Sequence, residues 1–422
     1  MQTLDEYDLI TRVGPDTLMG NVLRRYWLPA LVIEDLSAAD CPPVRVRLLG
    51  EDLVAFRDSN DRFGLLEEFC PHRCASLFLG RNEQSGLRCV YHGWKFDVEG
   101  RCIDMPTEPA HSTFKDRVRA NAYPLAERAG ILWAYLGPPE KQPPLPDMEW
   151  MRAPASHRFV SKTIERANYL QALEGGIDTA HSSFLHNNNL GDRTSFRQMD
   201  GAPTLELERT DYGFQYASLR DIGEDGIYLR VYQFFMPFTQ YRSHQLEGRR
   251  GAGRAEIPML KGHLWVPIDD ENTCVYNFMM SVDEDKPFDA EYVEREETAG
   301  GRGSTGETTV RHRVRENDWL IDREMQRTRN FTGIVGVNTQ DLAVQESMGR
   351  IVDRSREHLG STDRAVMTCR AIMREAIKDV AEGIDPPGLD PSTYRHQRAA
   401  DVVIPKGVRW QDAAGRELVA RH

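Results

Sequence analysis

The chain reads as an α+β protein, with an all-β domain at 29–146 followed by an antiparallel sheet covered by helices at 147–422. Three observations predict this. Between residues 31 and 136 the runs VRVRLLG, LVAFRD, FGLLEEF, LRCVYHGWKFD and ILWAYLG are short, rich in β-branched and aromatic residues, and separated by Gly, Asp and Asn turns. The stretch GPPEKQPPLP at 137–146 is a proline-rich connector and a natural domain boundary. Beyond it, long strand-like runs are interleaved with helical ones.

The elements follow in order. Residues 1–28 predict two short helices, LDEYDLITRV and MGNVLRRYW, broken at Gly14-Pro15. After the connector, 165–186 predicts a helix. LELERTDYGFQYASLRD, IYLRVYQFFMPFTQYRS and GHLWVPIDDENTCVYNFMMSV predict long strands of a twisted sheet. Residues 285–317 are highly charged and rich in Gly and Thr, which predicts a mobile surface segment. NDWLIDREMQRT and the amphipathic STDRAVMTCRAIMREAIKDVAEG predict helices. No internal repeat is present.

Composition narrows the function. At 422 residues the chain can bury two or three cores. Its 53 basic against 65 acidic side chains leave a net charge of −12, which argues against nucleic acid as a general partner. A small anionic substrate needs only a local cationic pocket. Arginine (45) far outnumbers lysine (8), and arginine is the residue that grips carboxylates with two parallel hydrogen bonds. No apolar run reaches about 18 residues, so no membrane helix is expected. The start MQTLDEYDLITRVG has no basic segment followed by an apolar one, and the expected location is the cytoplasm. Seven cysteines scattered through such a chain make a poor disulfide framework and a better source of metal ligands.

Two of them stand in the strongest motif. Cys70-Pro-His72 is followed, after sixteen intervening residues, by Cys89-Val-Tyr-His92. Two Cys–His pairs are the ligand set of a Rieske [2Fe–2S] centre: thiolates hold one iron and neutral imidazoles the other. Zinc is the competing reading, but zinc fingers group cysteine with cysteine and histidine with histidine, whereas here the two types alternate. The text CPHRCAS…CVYHGWKFDVEG closely resembles the Rieske domains of ring-hydroxylating oxygenases. Cys74 departs from that family, which usually has glycine there. With Val90-Tyr91 filling the other loop, a free thiol is expected rather than a bridge.

A second constellation is Asp178-Thr-Ala-His181-Ser-Ser-Phe-Leu-His186. On a helix, Asp178 and His181 would be about 300° apart and share a face. His186 would fall about 140° beyond His181, so the helix must end or widen before both imidazoles can reach one metal. HNNNLGD is a good stop signal. Two histidines and a carboxylate with open positions are the ligands of non-haem Fe(II) oxygenases. A histidine pair near a helix end is more often structural. Here an upstream cluster needs an electron acceptor, and NYLQALEGGIDTAHSSFLH resembles the Asp-x₂-His-x₄-His segment of the same family. Spacing alone does not locate the carboxylate. The resemblance places it in FTGIVGVNTQDLAVQESMG, at Asp341, with Asp353 and Asp363 as alternatives.

The resemblance spans nearly the whole chain and is closest to the phthalate dioxygenase branch, through RVGPDTLMGNVLRRYWLPA and QDLAVQESMGRIVDRSREHLGSTD. It implies a helix-grip catalytic domain behind the Rieske domain, and a homo-oligomer, a trimer or stacked-trimer hexamer. It implies a reductase with FMN and a [2Fe–2S] cluster that draws on NAD(P)H, and O₂ as cosubstrate. Asp178 is then no ligand; it bridges the centres by hydrogen-bonding His92 of one subunit and the iron-bound His181 of the next.

The implied substrates are aromatic carboxylates. Cationic anchors are sought among Arg209, Arg220, Arg230, Arg242 and His244, with apolar walls from Phe184, Leu185, Ile222, Phe234, Phe278 and Phe331. Three readings remain: dihydroxylation of an aromatic dicarboxylate such as a phthalate, O-demethylation or ether cleavage of an aromatic acid, and a pure electron carrier.

Overall fold

The computed structural model describes residues 7–302 and 312–421. The chain forms two compact units, Val13–Leu145 and the remainder up to Arg12 and from Pro146 onward.

The first unit is built from three small antiparallel sheets. One orders Trp27–Val32, Ile131–Tyr135 and Leu125–Arg128. A second orders Val44–Leu48, Glu51–Arg57, Phe63–Glu67 and Ala122–Tyr123. The third orders Arg81–Glu83, Gly86–Arg88, Lys95–Phe96 and Cys102–Asp104. Val54, Phe56, Leu66, Leu87 and Phe96 pack into one core that takes in Cys70 and Cys89. The cysteine loops therefore rest on rigid packing, although the loops themselves are irregular.

The expected helical piece at 1–28 is not a module of its own. Among the described residues of this stretch, Asp8–Thr11 and Leu18–Leu23 are helical, and Trp27 already begins a strand. The carbonyls of Ile10 and Thr11 accept hydrogen bonds from the Tyr169 hydroxyl (2.7 Å) and Asn168 Nδ2 (2.9 Å), which ties the first turn to the second unit. The first residues of the expected helix lie outside the described residues.

The second unit is an eight-stranded antiparallel sheet. Its strands are β1 (Arg158–Glu165), β2 (Thr204–Thr210), β3 (Gly213–Asp221), β4 (Ile227–Phe235), β5 (Thr239–Leu246), β6 (Arg254–Pro267), β7 (Thr273–Ser281) and β8 (Ala400–Ile404). They lie in the order β1-β7-β6-β5-β4-β3-β2, and β8 pairs with β4. The three long runs expected as strands each supply strand pairs, turning at Asp211-Tyr212, at Met236–Phe238 and at Ile268–Asn272.

Four helices matter for the site: α1 (Tyr169–Ile177), α2 (Ala290–Gly300), α3 (Val337–Ser347) and α4 (Arg364–Ala381). α1 is buried on nearly every side and approaches β6 so closely that a Cβ on Gly176 would lie 1.9 Å from Trp265. Its Glu174 meets Arg370 of α4 at 2.6 Å and Arg354 at 3.1 Å, so the charge it buries is paired.

Two expectations are corrected. α1 does not run from 165 to 186. Asn168 caps its start by accepting from Leu170 N, and Asp178 ends it in an extended conformation. The short Asp178 side chain captures the Ala180 and His181 N–H groups, which competes with helix continuation. Nor is 285–317 wholly a loose surface segment. Asp289 caps α2 at Tyr292 N, and Tyr292 packs with Ile257, Met259 and Met279. Residues 303–311 of that stretch lie outside the described residues. Among the described residues, no helix is long and apolar enough to cross a membrane.

Candidate metal centres and substrate cavity

The two Cys–His loops are local copies of one another. Cys74 N donates to the Cys70 carbonyl at 2.9 Å, and Gly93 N donates to the Cys89 carbonyl at 3.0 Å. Each loop closes on a residue with positive φ: Gly93 at 78° and Cys74 at 56°. Cys74 thus occupies a left-handed position that suits glycine, and its thiol is exposed and unpaired with any other cysteine.

The four candidate ligands converge without forming a single-ion site. The His72 and His92 rings lie 4.5 Å apart, edge to face, and Trp94 stacks on His72 at 4.2 Å. Cys70 and Cys89 are buried. Burial, together with the neighbouring Cys89, pushes the Cys70 thiol up to about 11, an environment that only a bound cation turns in favour of thiolate. Burial and the adjacent His92 hold the His72 imidazole below its usual range. The buried Nδ1 of His92 has no hydrogen-bond partner among the described residues. Zinc would draw four such donors to within about 4 Å of one another. Among the described residues, the one Cys/His/carboxylate group with ligand atoms within 4.8 Å of each other is elsewhere, so these four fit a wider, two-iron cluster.

That other group is His181, His186 and Asp341. His181 lies on the one-turn 3₁₀ helix His181–Ser183, His186 on the loop after it, and Asp341 on the second turn of α3. The two Nε2 atoms are 3.1 Å apart, and Asp341 Oδ1 is 3.2 Å from His186 Nε2 and 3.7 Å from His181 Nε2. Neighbouring ligands on one octahedral ion stand about 3 Å apart, so the trio fits one face of such an ion.

The protons agree with this. His181 Nδ1 faces the carboxylate of Asp178 at 3.1 Å, and His186 Nδ1 faces Gln340 Oε1 at 2.8 Å. Each Nδ1 therefore carries the hydrogen, and two Nε2 lone pairs point at one another, an arrangement that a cation relieves. Burial opposes charge on His181, yet the Asp178 hydrogen bond and the Asp341 charge hold its pKa above the usual value. Burial would raise Asp341, but the neighbouring His186 and His181 hold it below the carboxylate range. The alternatives are accounted for otherwise: Asp353 accepts from Ser355 N and Asp363 from Gly360 N.

The trio opens on a cleft of about 730 Å³, a volume that includes open solvent. Trp265, Val275, Leu342 and Ala172 supply apolar wall, and Arg197, Arg230 and Arg242 line it with three cations. Arg230 is held by the Ser243 carbonyl at 2.8 Å. Neither Arg197 nor Arg242 has a carboxylate within ion-pair distance among the described residues. Burial, then repulsion from Arg230, lowers both, Arg242 to about 10. His263, bonded to Asn277 at 2.9 Å, is driven well below its ordinary range by burial and by Arg242 and Arg302.

Several expected anchors are elsewhere. Arg209 is an exposed surface residue paired with Glu375 at 2.6 Å. Arg220 is buried, and it clamps the turn that carries His181 by donating to Ser183 Oγ (2.9 Å) and the Thr179 carbonyl (2.7 Å). His244 is not among the cavity-lining residues. Burial and a ring of cations led by Lys261 push it down to about 3. The proposed apolar walls are also displaced: Ile222 and Phe234 lie in packed cores, and Phe184 and Phe331 pair in the open at 5.7 Å. The sequence reading missed Arg197, His263 and Gln340. Gln340 alone had a cue, its place next to Asp341.

Comparison with known proteins follows the same division. Residues 26–119 match the Rieske [2Fe-2S] domain model, and residues 134–420 match the LigXa C-terminal domain-like model. The chain is similar to the 3-chlorobenzoate-3,4-dioxygenase oxygenase subunit of Comamonas testosteroni, at 37% identity over 97% of each chain. It is equally similar, at 37% identity over 100% of this chain and 96% of the other, to the phthalate 4,5-dioxygenase oxygenase subunit of Pseudomonas putida. Among solved structures, the QL mutant of NdmA from Pseudomonas putida CBB5, with theobromine, matches with a TM-score of 0.62. That match covers 93% of this chain and 99% of the other, and at 18% identity it shows a common fold.

Proposed function

The chain belongs to the Rieske non-haem iron oxygenases, as an oxygenase component, and from that premise we propose that it dihydroxylates an aromatic acid bearing two anionic groups, of the phthalate type. One observation carries the substrate class. Arg197 and Arg242, with no carboxylate partner among the described residues, line the cavity that holds the His181–His186–Asp341 trio, beside Arg230. Partly buried guanidiniums that repel each other are relieved by carboxylates, each able to take two parallel hydrogen bonds. The names of the relatives, a chlorobenzoate and a phthalate dioxygenase subunit, agree with such a ligand.

Cys70, His72, Cys89 and His92 would hold the [2Fe–2S] cluster, and His181, His186 and Asp341 the mononuclear iron. When bound, these groups supply single-electron relay and O₂ activation. The protein supplies position. Arg197 and Arg242 fix the two acid groups and so orient the ring edge toward the trio. Trp265, Val275 and Leu342 present apolar wall to the ring. Asp178 Oδ2 keeps the His181 hydrogen on Nδ1 and leaves Nε2 as donor to the metal. In an oligomer of identical subunits, a trimer or stacked-trimer hexamer, Asp178 would also reach His92 of the partner subunit. Electrons would come from NAD(P)H through a reductase carrying FMN and a [2Fe–2S] cluster.

The test is oxygen uptake with a panel of aromatic mono- and dicarboxylates and a generic reductase, with ¹⁸O₂ and mass spectrometry of products. A cis-diol carrying both labelled atoms from a dicarboxylate is expected. Formaldehyde release would move the chemistry to O-demethylation. Turnover confined to uncharged aromatics would overturn the substrate class.

A further inference from the structure

Gln340 is fully buried in α3, one residue before Asp341. Its Oε1 lies 2.8 Å from His186 Nδ1. Its Nε2 donates to the Ile334 carbonyl at 2.9 Å and to Asn188 Oδ1 at 2.8 Å. A backbone carbonyl can only accept. The amide nitrogen must therefore face Ile334, and the amide oxygen must face His186. Asn330 Nδ2 also donates to that carbonyl, at 3.2 Å, which holds the acceptor in place.

We propose that Gln340 is a positioning residue that locks His186 in the Nδ1–H tautomer and so makes its Nε2 a metal ligand. The inference rests on the reading that His181, His186 and Asp341 hold iron. The two ligand imidazoles are then supported differently. His181 leans on a carboxylate, Asp178, and His186 on a neutral amide. The neutral partner fixes the ring without adding a further negative charge to a site that already has Asp341. Partners of this kind set ligand orientation, and losing one lowers metal affinity about 10–100-fold.

The test compares wild type, Q340M, Q340E and H186A for ferrous-ion affinity at the mononuclear site, with cluster absorption as a check on the rest of the molecule. Q340M keeps length and removes the acceptor; about 10–100-fold weaker iron binding with an unchanged cluster is expected. In Q340E the neutral acid, which burial favours, keeps an acceptor toward His186 and a donor toward the Ile334 carbonyl, and iron binding within about threefold of wild type is expected. In the cobalt(II)-substituted protein, two far-shifted exchangeable imidazole N–H resonances are expected by proton NMR, and Q340M should lose one of them to solvent exchange. Wild-type affinity in Q340M, or a Q340E as weak as Q340M, overturns the proposal. Should Q340M fail to fold, Q340E and the wild-type pair of N–H resonances still decide it. If H186A leaves iron affinity unchanged, the iron trio itself is wrong; if H186A loses iron and Q340M does not, Gln340 alone is.

Discussion

Asp178 holds His181 at two points: one carboxylate oxygen accepts from the backbone N at 3.0 Å and from ring Nδ1 at 3.1 Å. Backbone and imidazole are thus set by one side chain, which also ends α1. Asn in this place can still accept the Nδ1 hydrogen but carries no charge. D178N should keep both metal centres and slow turnover about 10–100-fold, measured as steady-state oxygen uptake beside iron analysis. A wild-type rate in D178N would remove Asp178 from the path between the centres.

The arginines divide by environment. R242A and R197A should each raise KM for an aromatic dicarboxylate by about 10–100-fold, because a charged hydrogen bond contributes roughly 1.5–3 kcal/mol. R209A should change KM less than about twofold, since Arg209 and Glu375 form a solvent-exposed pair that is not part of the trio's cavity lining. Equal effects from all three would contradict the cavity assignment.

His244 makes stability depend on pH. Its folded pKa of about 3 lies below the unfolded value near 6.5, so the unfolded chain takes up the proton first. The neutral ring's contribution is complete above pH 6.5 and is lost as pH falls toward 3. Urea unfolding of wild type between pH 7.5 and 5 should show a fall to which His244 contributes up to about 2 kcal/mol. H244Q should flatten that slope, and an identical slope would show that the ring is not desolvated.

Cys74 carries a left-handed backbone at φ 56° in the loop where its counterpart is Gly93. C74G should relieve about 1 kcal/mol of strain and leave the cluster signal intact. Thermal unfolding of C74G at or below the wild-type midpoint would show that the gained chain entropy outweighs that relief.

Much of this was legible before folding. Cys70, His72, Cys89 and His92 carry their chemistry in spacing and residue type, because a cluster held by two loops needs its ligands close in sequence. His181 and His186 were legible for the same reason. Helix periodicity misled at 165–186, because the Asp178 side chain competes for backbone N–H groups in a way that apolar spacing does not register. The arginines misled further. Arg209, Arg220, Arg230 and Arg242 all look alike as strand arginines, yet one is at the surface, one clamps a turn and two line the cavity.

Residue types and their spacing already carried the chemistry: two Cys–His pairs suited to a cluster, a histidine pair suited to iron, and a two-part α+β chain. Folding settles which cations share one cavity and which buried amide faces His186, and it brings Asp341, to which the family resemblance already pointed, beside the two histidines. Those are contacts between residues far apart in the chain, such as His186 and Gln340 at a separation of 154. Ligand identity is a local property of a side chain, whereas electrostatic environment and hydrogen-bond partner are set by packing, which no local pattern records.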